Sequence, residues 1–157
     1  MRVRSLLAYV IGCVCCTWGT FNAPDAAPAP LVPWIGSWSI SGTADWGGPT
    51  SVSGPAYISE AFDDAGAPVA TAVDVSINGC NLQWNVSGNS GTLQGGQSCG
   101  NSQVGSVSLQ SSTWTSGSAN LDASATPTII SIQMAGTACC ASSQQITETL
   151  TLTQTAP

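Results

Sequence analysis

The chain has almost no positive charge. Its 157 residues contain only two basic side chains and no histidine, and the two are Arg2 and Arg4 at the start of the chain. Binding to nucleic acid requires cationic side chains that displace the counterions around the phosphates. Attraction to anionic lipid headgroups requires such side chains as well. The composition therefore all but excludes nucleic acid as a partner, and it all but excludes a membrane surface bound through charge.

The same deficit limits catalytic chemistry. A serine or cysteine nucleophile needs a neighbouring base, normally His or Lys, and the chain contains neither. Two carboxylates can hydrolyse glycosides without such a base, but Glu60, Asp63 and Asp64 stand in a segment typical of an exposed turn. Cys139 and Cys140 are adjacent, which is not the spacing of zinc ligands. We predict a protein that is not an enzyme and uses no metal or cofactor.

A long hydrophobic segment is missing too. A membrane-spanning helix needs about 20 apolar residues, and the longest apolar run, from Leu6 to Trp18, is shorter. Two arginines followed by the apolar segment 6–11 are typical of an export signal. This signal ends in Val10-Ile11-Gly12-Cys13, which resembles the lipobox of bacterial lipoproteins. In that family the cysteine becomes the acylated first residue of the mature protein.

The resemblance implies a signal peptide over residues 1–12, a lipid on Cys13 and, because Val14 is not acidic, sorting to the outer membrane. The partner would then be a membrane, held through the lipid anchor. Residues 13–33 include a Pro- and Ala-rich stretch that is typical of an extended tether. The alternative is an ordinary secretory signal, cut after Gly19, which would release a free protein.

Residues 34–157 form the predicted domain, in which apolar residues alternate with a period of two. Asn78-Gly79 separates two such runs and predicts a tight β-hairpin. No window has helical periodicity with a cap. Strands are expected at 35–42, 56–62, 69–77, 80–86, 91–98, 104–115, 119–125, 128–134 and 145–154. Strands this closely spaced by turns indicate antiparallel pairing, in a barrel or a sandwich.

The segment 34–43 contains Gly36 and Trp38 and resembles the opening strand of lipocalin-like (calycin) barrels, in which a Gly-x-Trp places the Trp across the closed end. The resemblance implies an all-β fold with a single antiparallel barrel of about eight strands; a β-sandwich is the alternative. Ligands of such folds bind in the barrel mouth. Trp38, Trp84 and Trp114 are therefore candidate ligand contacts, with core packing as the default interpretation.

A second hairpin is predicted with its turn in the segment 88–91, and it carries two cysteines. If the turn is centred in that segment, Trp84 lies opposite Gly95, which leaves it room, and Cys80 lies opposite Cys99. Opposed strand residues have Cα atoms about 4.5–5.5 Å apart, within the range that a disulfide needs. We predict a Cys80–Cys99 bond. The pairing of the remaining cysteines stays open: Cys15, Cys16, Cys139 and Cys140.

The last predicted strand carries an acidic residue on its apolar face. Glu148 shares the parity of Ile146, Leu150 and Leu152, which directs it inward. It is either a pocket group with a raised pKa or, by the preferred interpretation, a residue that a bulge or strand end leaves wet. The opposite face of this strand carries a row of threonines. The preference of β-branched residues for β-strands is enough to explain that row.

These observations predict an exported, membrane-tethered, non-catalytic β-barrel lipoprotein that binds a small apolar or glycan ligand. A structural or interaction lipoprotein without a small ligand is the first alternative, and a freely secreted β-sandwich protein is the second. The interior of the barrel distinguishes the ligand-binding lipoprotein from the lipoprotein without a small ligand. A tryptophan-lined cavity of about 300 Å³ or more favours ligand binding, and a filled interior favours the other class.

Overall fold

A computed structural model describes residues 31–104, 107–139 and 143–156 of the chain. The predicted signal peptide and most of the predicted tether lie outside these residues. Four cysteines also lie outside them: Cys13, Cys15, Cys16 and Cys140.

The described chain forms nine β-strands. They are β1 (Gly36–Asp45), β2 (Pro49–Phe62), β3 (Pro68–Ile77), β4 (Cys80–Ser87), β5 (Ser90–Leu93), β6 (Gln97–Val104), β7 (Val107–Asp122), β8 (Ile129–Cys139) and β9 (Ser143–Ala156). Burial alternates along them as the sequence period predicts; β4, for example, alternates from Cys80 to Ser87 without interruption. Among the described residues, no helix is long and apolar enough to cross a membrane.

Several of the predicted strands have wrong bounds. The strand expected at 56–62 begins earlier, at Pro49. The sequence predicts separate strands at 104–115 and 119–125, but β7 runs through residues 116–118, which pair with β8 just after a bulge between Trp114 and Ser116. The single strand predicted at 91–98 is instead divided into β5 and β6. The glycines before Gln97 form a turn there, with a positive φ at Gly96, a conformation that glycine adopts at little cost.

All nine strands belong to one sheet, in the order β5-β4-β3-β2-β1-β9-β8-β7-β6, and a further pairing between β5 and β7 closes it into a ring. All of the pairings are antiparallel. β6 and β5 pair with successive parts of β7, so together they occupy one strand position of the ring. The prediction of an all-β, barrel-like antiparallel fold is confirmed, and the sandwich alternative does not describe this closed sheet.

The inward faces of the strands form the hydrophobic core, which also includes two residues from before β1. Leu31 and Trp34 are buried, and the Trp34 Nε1–H donates a hydrogen bond of 2.9 Å to the Gly88 carbonyl in the β4–β5 turn. The Trp34 ring also lies close to Gly91. The packed unit therefore includes Leu31, which the sequence analysis assigns to the tether.

Candidate functional site

The structure contains the predicted disulfide between Cys80 on β4 and Cys99 on β6. Their Cα atoms are 5.4 Å apart, and both residues are buried. Cys139 is exposed and forms no disulfide with a described residue. The Cys80–Cys99 bond joins two strands that do not pair with each other through a regular ladder among the described residues.

The hairpin register used to predict this bond is wrong near the turn. Trp84 lies opposite Leu93, not Gly95, because Ser87 pairs with Ser90 and leaves a tight two-residue turn. Gly88 has a φ of 58° in that turn, which suits a tight hairpin better than the wider turn expected. The register therefore differs by two residues from the one expected. The turn between β5 and β6 contains these two residues, so Cys80 and Cys99 still lie next to each other.

A glutamine side chain replaces the missing strand pairing beside the disulfide. The Gln97 Oε1 accepts a hydrogen bond of 2.6 Å from the Gln83 backbone N–H, and its Nε2 donates one of 2.8 Å to the Gln83 carbonyl. The same Nε2 also donates to the Gln94 carbonyl. We call the contact of β4 residues 80–83 with β6 the seam. Side chains, and not a backbone ladder, connect the ring there.

The three tryptophans predicted as candidate ligand contacts lie in the core. Trp38, Trp84 and Trp114 are only 1%, 1% and 3% exposed. Gly117 on β7 leaves room for Trp84, since a β-carbon at Gly117 would lie 2.9 Å from the indole ring. The sequence analysis expected Gly95 to have this role. The glycine that has it comes from a strand distant in sequence.

The interior space beside Trp114 is very small. Its volume is about 10 Å³, and Met134 and Glu148 also line it. About 10–15 Å³ is the minimum for one water molecule, whereas a drug-sized ligand needs about 300–1,000 Å³. This space cannot hold a small organic ligand.

Glu148 is the only charged side chain among the buried residues of the described chain. It is 2% exposed and lies opposite Met134 on β8 and Ala44 on β1. The described residues offer its Oε1 no hydrogen-bond partner. Burial raises the pKa of this carboxyl to about 7, because an apolar environment disfavours the charged form. The preferred expectation of a wet carboxylate is wrong, and the inward parity of Glu148 is the correct signal.

The acidic loop behaves as the sequence predicts. The Asp63 Oδ1 accepts hydrogen bonds from the backbone N–H groups of Ala65 and Ala67, at 2.9 and 2.8 Å. Asp63 and Asp64 are both exposed. Within residues 31–104, 107–139 and 143–156, no group of three or more His, Cys, Asp or Glu side chains has a metal-binding arrangement.

The outer surface carries a groove that the sequence analysis did not identify. We call it the Tyr57 groove; its volume is about 330 Å³. Tyr57 is 63% exposed and lies opposite Ser37 on β1 and Ser76 on β3. The side chains that line the groove from the outer face are Ser37, Ser39, Ser53, Pro55, Tyr57 and Thr155. The signal was the outward parity of Tyr57 between buried Ala56 and Ile58.

A second depression continues the Tyr57 groove along the surface. We call it the Asn78 hollow; its volume is about 430 Å³, and it shares the segment 53–55 with the groove. Asn78, in the β3–β4 turn, and Asn101, on β6, have φ angles of 53° and 51°, a conformation that Asn tolerates. The Gln103 N–H donates a hydrogen bond of 3.0 Å to the Asn78 carbonyl. The two elements of the hollow are therefore fixed to each other.

No known protein family matches the chain, and neither does any curated protein or solved structure. The arguments about function therefore rest on the residues of this chain alone.

A third depression lies over β7, β8 and β9 and has a volume of about 530 Å³. Its lining includes Gln133, Thr147 and Thr149, and the buried residues Met134 and Glu148 also border it. It contains no aromatic side chain. Of the three depressions, the Tyr57 groove alone combines an exposed aromatic ring with hydroxyl groups.

Proposed function

We propose that the protein is an exported, lipid-tethered, non-catalytic β-barrel that acts through its outer surface and does not enclose a small ligand. The observation that carries this proposal is the filled interior. The three candidate tryptophans are core residues, and the space beside Trp114 measures only about 10 Å³. A binding module of the lipocalin kind needs a far larger cavity. The depressions large enough for a ligand lie on the outer face.

Export is supported by the disulfide. Structural disulfides form and persist in oxidising compartments and are rare in reducing ones. The basic and apolar segment at the N-terminus, followed by Cys13, supplies the matching export signal and lipid site. Tethering places the outer face of the barrel where it can meet external molecules.

The absence of catalysis is supported by composition. No His or Lys occurs in the chain, so a serine or cysteine nucleophile would have no side-chain base of the usual kind. Glu148 has a pKa suited to proton transfer, but a general base must reach its substrate. At 2% exposure, the Glu148 side chain is buried away from a substrate in solution.

Native mass spectrometry of the protein purified from its own membranes tests the proposal about the interior. We expect the mass of the acylated polypeptide alone. A stoichiometric small molecule that survives gentle desolvation, is lost on unfolding and is retained when Tyr57, on the outer face, is replaced by Ala would overturn the proposal, because it would indicate a site away from the outer-face groove.

The tether has a separate test. Cys13→Ser should move the protein from the membrane fraction to the soluble exported fraction, and it should abolish labelling with a clickable palmitate. Cys16→Ser is the matched control, since it leaves Cys13 in place and should stay in the membrane fraction. Membrane retention of the Cys13→Ser protein would contradict the lipid anchor and favour another mode of attachment.

A further inference from the structure

We infer that the Tyr57 groove, continued by the Asn78 hollow, is a binding site for a neutral oligosaccharide. The inference rests on the proposed function, because it names the class of ligand that the outer surface would take. It depends on three properties of the two depressions: an exposed aromatic ring, a set of uncharged hydrogen-bonding groups, and the absence of any cationic side chain.

The aromatic ring is the first property. Tyr57 is one of only two exposed aromatic residues among the large hydrophobic side chains of the described chain, and the other is Phe62. Its neighbours on the outer face are small, with Ser37 and Ser76 opposite it on the adjacent strands. A tyrosine among serines therefore projects from the sheet. The C–H face of a sugar ring is weakly positive and packs against the negative face of an aromatic ring.

Uncharged hydrogen-bonding groups are the second property. A sugar hydroxyl both donates and accepts hydrogen bonds, so it is best matched by side chains that do the same. Serine and threonine hydroxyls and the amides of asparagine and glutamine have this capacity. Ser39 and Ser53 supply exposed hydroxyls beside Tyr57, and Asn101 and Gln103 supply exposed amides in the adjoining hollow.

Charge is the third property, and it separates neutral from anionic ligands. No residue that lines either depression is charged. Sulfated, phosphorylated or uronic-acid glycans are held most strongly by Arg or Lys through charge-assisted bonds, and the only two basic residues of the chain lie at its N-terminus, outside the described residues. The acidic composition also repels such ligands at long range. A neutral oligosaccharide is the class that remains.

The shape fits an extended ligand better than a protein surface. The groove and the hollow share the segment 53–55, so a chain of several sugar units can pass from Tyr57 to Asn101. A protein interface of standard size buries about 800 Å² on each partner around an apolar centre. Here Tyr57 and Pro55 are the only apolar side chains on the outer lining of the groove, and polar groups surround them.

The test uses the full-length protein, solubilised from membranes in a neutral detergent. It is applied to an array of neutral oligosaccharides built from glucose, galactose, mannose or N-acetylglucosamine, together with sulfated and uronic-acid counterparts. We expect binding to at least one neutral series. Tyr57→Ala should weaken that binding by about tenfold, because it removes the stacking ring, and Tyr57→Phe should stay within about threefold.

Phe62→Ala is the matched control, because Phe62 is 54% exposed on the same strand and lines neither depression. It should leave binding unchanged. An equal thermal midpoint for Tyr57→Ala and wild type verifies that the fold is intact; if it falls, Gln103→Ala provides the second variant, with the same expected direction, because Gln103 is exposed in the adjoining hollow.

Several results would overturn the inference. They include an absence of binding to every neutral series, binding that Tyr57→Ala and Gln103→Ala leave intact, and stronger binding to the anionic counterparts. Photocrosslinking from position 57 that captures a protein in place of a glycan would also overturn it. The proposed function fails separately: a small molecule that both wild type and Tyr57→Ala retain in native mass spectrometry would refute the surface mode whatever the array shows.

Discussion

The two sides of the ring are held together in different ways. On the side formed by β8 and β9, the backbone ladder runs without a register shift from the Ile129–Thr153 pair to the Cys139–Ser143 pair. At the seam, the β4–β5 ladder ends at the Trp84–Leu93 pair, and the Gln97 amide and the disulfide complete the connection to β6. We call the first region the continuous side. Its stability is distributed over many equivalent bonds, whereas that of the seam depends on a few side chains.

The difference has a physical cause in the lengths of the hairpin arms. The tight turn after Ser87 and the longer arm through Gly95 cannot both keep a regular register with β4, so the regular ladder ends, and the Gln94 N–H donates one further bond of 3.0 Å to the Gln83 carbonyl. A buried backbone donor or acceptor without a partner costs about 1–3 kcal/mol. Gln97 avoids this cost at the Gln83 N–H, because its Oε1 accepts the hydrogen bond that a peptide carbonyl would otherwise accept.

Removal of the disulfide should have the largest effect on the seam. The bond closes a loop with a sequence separation of 19 residues, which corresponds to about 3 kcal/mol in the chain-entropy model. We expect Cys80→Ala/Cys99→Ala to lower the free energy of unfolding by about that amount in urea titration. Wild type under reducing conditions should approach the same value. A double variant as stable as oxidised wild type would show that the seam does not depend on the bond.

Hydrogen exchange extends this test to the comparison between regions. In the Cys80→Ala/Cys99→Ala variant, the amides of β4 and β6 should lose protection before those of β8 and β9. Uniform loss across all strands would instead indicate that the ring opens as one unit, and the distinction between the seam and the continuous side would be wrong.

Glu148 makes the continuous side sensitive to pH. Its pKa is about 7 in the folded protein and 4.5 for the ordinary side chain, so between these values the unfolded chain has released a proton that the folded chain keeps. The contribution of Glu148 is therefore fully present below pH 4.5, declines as pH rises to about 7, and stays lost above it. Glu148→Gln should remove this decline.

The expected size is about 2–3 kcal/mol of extra stability for Glu148→Gln over wild type at pH 8, with little difference at pH 4. Urea titrations at several pH values measure it. Glu60→Gln is the control for the substitution itself, since Glu60 is the other glutamate of the chain and is only half-buried. Equal profiles for wild type and Glu148→Gln would contradict the buried carboxyl.

Gln97→Ala tests whether the Gln97 side chain replaces backbone pairing at the seam. Loss of the two bonds to Gln83 leaves a backbone donor without its partner, and we expect destabilisation by about 1–2 kcal/mol. The Gln83 amide should exchange faster in the same variant. Gln103→Ala, at an exposed position on the same strand, should be close to neutral. If both substitutions cost the same, Gln97 has no special role.

The smallest expected effect is at Trp34. Trp34→Phe keeps the aromatic packing on Gly91 but removes the hydrogen bond to the Gly88 carbonyl. We expect a loss of about 1 kcal/mol, since that carbonyl belongs to an exposed glycine and water can replace the donor. Trp46→Phe is the control. A much larger loss of unfolding free energy would mean that the Trp34 hydrogen bond is needed to hold the β4–β5 turn in place.

Local sequence patterns were enough to predict much of this structure. Alternation of apolar and polar residues depends only on neighbouring positions in a strand, so the all-β class follows from the sequence. The Asn78-Gly79 turn was predictable for the same reason, because its φ angles of 53° and 79° suit these two residues. The Cys80–Cys99 bond was also predictable, although through a register that is wrong by two residues at the turn.

Only the tertiary structure decided how the ring closes and what lies inside it. The β5–β7 pairing, the fit of Trp84 against Gly117 and the burial of Glu148 join residues from distant strands. Strand parity indicates which way a side chain points, but it does not give the width of the space that the side chain enters. That width depends on the number and register of all the strands together. The sequence therefore determined a β-protein with a disulfide, and the closed ring decided that its interior is filled and that the candidate site lies on its outer face.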